Sequence, residues 1–196
     1  MELFYMKIKF IILTLLFAVL GLNPAYSADN PQVVMSTNIG DVVIELNAEK
    51  APNSVKNFLE YVESGFYSGV IFHRVIKNFM NQAGGFDEKF QQKPTKKSIQ
   101  NEANNGLLNS KGTIAMARTS DPHSASSQFF INMNDNKFLD FKSKDAQGWG
   151  YAVFGKVVLG LDIMETLNNM PTGPSGRFAN DVPKKMVVIK SIKVKK

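Results

Sequence analysis

Along the chain from Gln32 onward, the spacing of hydrophobic positions changes several times, and each change marks an element. Val33-Val34-Met35-Ser36-Thr37 and Val42-Val43-Ile44-Glu45-Leu46 flank Asn38-Ile39-Gly40-Asp41. β-Branched runs on either side of an Asn/Gly/Asp turn predict a hairpin. The period then lengthens: Val55, Phe58, Leu59 and Val62 stand at i, i+3, i+4 and i+7, one apolar stripe of a helix over 52–64. Pro52 costs nothing in a first turn, and Gly65 stops the helix. Strand-like runs follow at 70–76, 79–83, 112–117, 128–133, 152–158 and 186–194. A second, short helix fits 162–169, with Asp162 and Glu165 in a capping arrangement and Ile163, Met164 and Leu167 facing inward. Segments 104–111, 119–126 and 171–183 are rich in Gly, Asn, Pro and Ser and read as loops. Many short strands with two helices predict a mainly β protein, a closed antiparallel barrel with helices plugging its ends.

Composition then narrows the chemistry. The 196 residues suit one hydrophobic core, and neither a repeat nor a long linker divides them. There is no Cys, which excludes disulfides, thiolate metal sites, a Cys nucleophile and Cys-linked lipids. His73 and His123 are the only histidines, too few for a multi-histidine metal centre, so neither metal nor cofactor is expected. No Gly-x-Ser-x-Gly elbow occurs. Gly150 to Lys156 has the Gly-x4-Gly-Lys spacing of a phosphate loop, but Val157 stands where Ser or Thr would hold magnesium. His123, in Asp121-Pro122-His123-Ser124, reads as a solvated loop residue.

The first 27 residues read as an address rather than as fold. Lys7 and Lys9 precede an apolar run of 13 residues, Phe10 to Leu22, followed by small residues at Ala25 and Ser27. That pattern predicts a secretory signal peptide over 1–27, cleaved before Ala28, with the domain over 28–196. The run falls short of the roughly 20 residues that a membrane-spanning helix needs, so no stable membrane insertion is expected after cleavage. Lys7, Lys9 and Glu2 carry a net +1, so cleavage leaves +5 of the chain's +6. No dense basic cluster holds that charge. At 190–196 Ile192 and Val194 alternate with lysines, which describes one solvated strand face, and no nucleic-acid partner is expected.

The unusual stretch is Phe72-His73-Arg74-Val75-Ile76-Lys77-Asn78-Phe79-Met80-Asn81-Gln82-Ala83-Gly84-Gly85. Alternation along a strand puts Phe72, Arg74 and Ile76 on one face, and His73 and Val75 on the other. Two roles fit an arginine among such neighbours. One is a salt-bridged residue covering the sheet with its stem; the other is a functional cation. His73 reads as a hydrogen-bonded structural histidine, and Phe79 and Met80 taken alone read as core.

Together with Met116-Ala117-Arg118, Ser127-Gln128-Phe129-Phe130-Ile131-Asn132 and Phe138-Leu139-Asp140, this stretch resembles the cyclophilin family of peptidyl-prolyl cis-trans isomerases. The likeness runs from Val33 to Val194, nearly the whole expected domain, and 101–106 and Gly148-Trp149-Gly150-Tyr151 look like the bacterial, exported branch. The resemblance implies a closed eight-stranded antiparallel barrel capped by two α-helices, with the active groove on its outer surface. It puts the catalytic arginine at Arg74, the proline pocket at Phe79, Met80, Phe130 and Leu139, and the groove glutamines at Gln82 and Gln128. Ala117 and the backbone at Arg118 match the stretch along which substrate lies. Phe138 stands where many members carry Trp, and Tyr151 where many carry His, both beside the substrate groove. Isomerisation is expected to survive both changes, while the missing indole donor at Phe138 counts against tight cyclosporin binding.

The expected function is therefore isomerisation of X–Pro bonds in unfolded or partly folded proline-containing polypeptides, assisting the folding of exported proteins. The periplasm is the expected compartment and a monomer the expected state. A proline-binding chaperone or scaffold with little turnover is the alternative; it needs the aromatics but no aimed cation.

Overall fold

The structure, a computed structural model, describes residues 30–195; the expected signal peptide lies outside the described residues. The hairpin forms as read, β1 (Gln32–Thr37) against β2 (Gly40–Leu46). Helix α1 (Pro52–Glu63) follows, and it buries Val55, Phe58, Tyr61 and Val62 while Leu59 is only partly covered. The Phe58 ring packs against Tyr67, Phe129 and Phe154 at 5.3, 5.7 and 5.3 Å between centroids, the centre of the core. The start of α1 is capped from a distant loop. The Glu102 carboxylate accepts the backbone N–H groups of Asn53 and Ser54 at 3.0 and 2.8 Å, satisfying donors that a helix leaves open.

The remaining strands are β3 (Val70–Ile71), β4 (Arg74–Ile76), β5 (Met80–Ala83), β6 (Thr113–Met116), β7 (Phe129–Asn132), β8 (Val153–Leu159), β9 (Thr172–Ser175), β10 (Phe178–Pro183) and β11 (Val188–Val194). Nine of them form one sheet in the order β3-β11-β1-β2-β8-β6-β7-β5-β4. The fold is mainly β with two α-helices, but the sheet is a curled half-barrel of nine strands rather than a closed barrel of eight. The cause lies at Phe72 and His73. The run 70–76, expected as one strand, breaks there; β3 pairs with β11 and β4 with β5. These two edge strands are successive pieces of chain and do not pair with each other.

Helix α2 (Leu161–Asn168) corrects a second expectation. Gly160 stands at its N-cap in the left-handed conformation (φ 82), where an added Cβ would lie 2.5 Å from the Asp41 carbonyl. No side chain caps the helix, and Glu165 pairs instead with Lys111 at 2.7 Å. Met164 and Leu167 are buried as expected, and Ile163 partly so. The phosphate-loop-like stretch enters β8, whose Val153 and Phe154 are buried.

Segment 171–183 is not a loop: β9 and β10 form a separate two-stranded hairpin. Gly176 gives it its turn, and Phe178 anchors it, with its ring 4.9 Å from Phe86 and 5.4 Å from His73. His123 is also more than a solvated side chain. Its Nδ1 accepts the Asn101 backbone N–H at 3.1 Å, and its ring meets Trp149 edge-on at 4.9 Å.

Candidate active site

Strand β7 shows why a site forms outside the sheet. Phe129 and Ile131 enter the main core, while Phe130 points the other way into a second apolar cluster with Met80, Ala115, Ala117, Leu139 and Val153. Gln82 pairs with Phe130, and Phe130 with Ala115, so the three lie side by side across β5, β7 and β6. Over this cluster lies a pocket of about 130 Å³ lined by Arg74, Phe79, Met80, Gln82, Ala117, Arg118, Phe130, Leu139 and Tyr151. Each of those nine was singled out in the sequence. The other two named there sit beside the pocket. The Gln82 amide Nε2 donates to Gln128 Oε1 at 2.9 Å, and Phe138 stacks on Phe79 at 5.5 Å while remaining 64% exposed at the rim.

Arg74 reaches the pocket because β4 alternates: Arg74 faces out, Val75 is buried and Ile76 is half-buried. Its partner in register is Gln82, and its Nε lies 3.7 Å from the Asp181 carboxylate of β10. Arg74 is therefore both salt-bridged and part of the pocket lining. Arg118 also lines the pocket. Its Nε donates to the Gly150 carbonyl and its Nη1 to the Thr119 carbonyl, each at 2.9 Å. The guanidinium lies 4.6 Å over the Tyr151 ring, whose edge meets Phe130 at 5.6 Å. Gly150 turns the chain here with φ 66; a Cβ would lie 2.6 Å from the Leu139 carbonyl.

Sequence reasoning missed the groups that hold these walls. Asn109, Asn132 and Asn136 are buried and joined to one another, Asn132 Nδ2 donating to Asn109 at 3.2 Å and Asn136 Nδ2 to Asn132 at 2.7 Å. Asn136 also donates to the Phe79 carbonyl at 3.0 Å, and Asn109 to the carbonyls of Leu139 and Tyr151 at 3.2 Å. Three pocket residues are thus held at their backbone carbonyls by one side-chain network. An asparagine closing a hydrophobic strand, as Asn132 does, was the available signal.

His73 is buried, 3% exposed, and its Nδ1 has no hydrogen-bond partner. Burial lowers its pKa from 6.5 to about 4, and the neighbouring Arg74 charge adds to the fall, against the Ile71 backbone and the Gln128 side chain. The neutral imidazole is not among the residues that line the pocket, and it packs against Phe86 and Phe178. Among the described residues no cluster of His, Asp or Glu could hold a metal ion. The pocket can seat a small apolar ring beside a permanent cation and side-chain amides.

Residues 32–194 match the family model for "Cyclophilin type peptidyl-prolyl cis-trans isomerase/CLD". The chain is 54% identical over 162 residues to peptidyl-prolyl cis-trans isomerase B of Escherichia coli, covering 83% of this chain and 98% of that one. It is 53% identical over 171 residues to a peptidyl-prolyl cis-trans isomerase of Acinetobacter baylyi, covering 87% and 89%. In three dimensions it is similar to a cyclophilin-type isomerase of Cryptosporidium parvum, with a TM-score of 0.69 at 28% identity, covering 85% of this chain and 98% of that one. A second structure of that protein was solved in the presence of the dipeptide Ala-Pro; its TM-score is 0.68 at 28% identity, covering 84% and 99%.

Proposed function

The chain belongs to the cyclophilin family and is a peptidyl-prolyl cis-trans isomerase, and from that premise we propose that Arg74 is its catalytic residue and the outer-face pocket its proline site. One observation carries the assignment: a guanidinium shares a cavity of about 130 Å³ with Phe79, Met80, Phe130 and Leu139.

The chemistry explains why these groups suffice. The barrier to rotation about an X–Pro bond, ~18–20 kcal/mol, is the loss of amide resonance as the bond twists. As it twists, the proline nitrogen becomes pyramidal and gains a lone pair that the planar amide lacks. A donor aimed at that nitrogen bonds strongly in the transition state and hardly at all in either ground state, which is the condition for catalysis. Arg74 remains protonated and offers several donors in a rigid fork. Proton transfer is not part of the reaction, so the burial of neutral His73 away from the pocket costs it nothing. The apolar walls clamp the proline ring, while Gln82 and the backbone at Ala117 and Arg118 hold the preceding peptide. One side of the bond is fixed and the other is free to turn. The pocket lies on an open outer face, as an extended or unfolded chain requires, and Phe138 at its rim adds exposed apolar surface for that chain. Such a groove is complete in a single chain, in keeping with a monomer.

Phe130 should act through binding. Phe130→Ala removes a pocket wall and is expected to raise KM for an Ala-Pro peptide about tenfold while kcat changes little. Exchange NMR on the peptide gives both numbers, and an unchanged KM would refute the pocket.

The basic residues, the short apolar run and the small residues before Ala28 support export, with folding of periplasmic proteins as the role. Expressed whole in a bacterium with two membranes, the protein should be recovered from the periplasm with Ala28 at its N-terminus. An intact mass that retains residues 1–27 would reject this.

A further inference from the structure

We propose that Asp181 is a positioning residue for Arg74, an inference that rests on Arg74 being the catalytic cation. The Asp181 carboxylate lies 3.7 Å from Arg74 Nε, at the base of the guanidinium fork. A partner there restrains the guanidinium by its inner edge rather than by its Nη groups. No other carboxylate among the described residues pairs with this arginine.

The backbone at Asp181 is itself unusual. Its φ is 67, the left-handed region that side chains other than Gly, Asn and Asp seldom enter. The register of β10 on β9 breaks between Phe178 and Val182, so residues 179–181 stand out of the ladder as a bulge. Both flanks of the bulge are anchored: Phe178 packs on His73 and Phe86, and Val182 is buried. A turn of this shape needs only glycine. A charged residue is held there instead, with its carboxylate beside the catalytic guanidinium, and a strained residue at a reactive group is a mark of function. The hairpin that the sequence hid as a loop thus acts as a brace for β4.

The pair is half-exposed, with side-chain exposures of 46% and 37%, so its influence is modest. Asp181→Asn keeps shape and tolerance for this backbone; it should lower kcat about threefold to fivefold with KM unchanged. Asp181→Gly should lower kcat equally while Tm holds or rises, because it relieves the strain. In an Arg74→Ala background neither substitution should change the residual rate. An unchanged kcat in Asp181→Asn, or the same fractional loss in both backgrounds, would overturn the positioning role and leave the assignment of Arg74 standing. Normal turnover by Arg74→Ala alone would overturn both.

Discussion

Replacing Arg74 with alanine is expected to lower kcat/KM a hundredfold or more, about 2.7 kcal/mol of transition-state stabilisation, with the fold intact. The magnitude is that of one aimed donor acting on charge that develops only as the bond twists. The fold should persist because Arg74 contributes little packing: its side chain is 46% exposed, and Val75 carries the buried face of β4. Its exposed pairing with Asp181 is worth at most about 1 kcal/mol to stability. Arg74→Lys retains the charge but loses the planar fork, so it should recover only a minor part of the rate. Isomerisation of an Ala-Pro peptide followed by exchange NMR, beside peptide affinity by calorimetry and circular dichroism for folding, separates the possibilities. Normal turnover in Arg74→Ala would end the catalytic assignment. A loss carried wholly by affinity would make Arg74 a clamp, and the rotation would need another donor.

What the chain disclosed in advance follows from the range of each interaction. The first hairpin and α1 are local: a turn between β-branched runs, and one stripe at helical spacing. Phe130 shows the limit of periodicity. All four residues of β7 are buried, so alternation separates Phe130 from Phe129 and Ile131 without saying which face is core and which lines a pocket. The likeness to a family resolved that, and the geometry brings the named residues together. The break at Phe72 and His73 was hidden because it is made by partners far along the chain: the Phe72 N–H donates to the Val187 carbonyl at 3.0 Å, and Phe178 packs on His73. The β9–β10 hairpin escaped for the same reason, since glycine and proline announce a turn but not the aromatic anchor that gives it a sheet. The Asn109, Asn132 and Asn136 network left one sign, an asparagine closing the hydrophobic strand at Asn132, because a polar residue reads as exposed until its partners are known.

Acidification should weaken the fold through His73 between about pH 6.5 and 4, by about 3 kcal/mol in total. The native state holds this imidazole neutral, with a pKa near 4 set first by burial and then by the Arg74 charge, whereas the unfolded chain titrates near 6.5. Between those values the unfolded state binds the extra proton, so stability rises with pH. The contribution is full above the unfolded pKa, declines as pH falls through the window, and changes no further below the folded one. Other groups titrate across the same range, which makes the comparison with a variant decisive. His73→Leu places an apolar side chain between Phe86 and Phe178 and removes an Nδ1 that bonds to nothing, so its stability at neutral pH need not suffer. Urea midpoints at pH 7, 5.5 and 4.5 should fall more steeply in the native protein than in His73→Leu, the difference in slope approaching one proton. Parallel slopes would mean that His73 finds a partner in solution and stays charged inside the fold. Because its neighbours Phe86 and Phe178 anchor the hairpin that carries Asp181, activity should fall along with stability in this window, and sooner than in the variant.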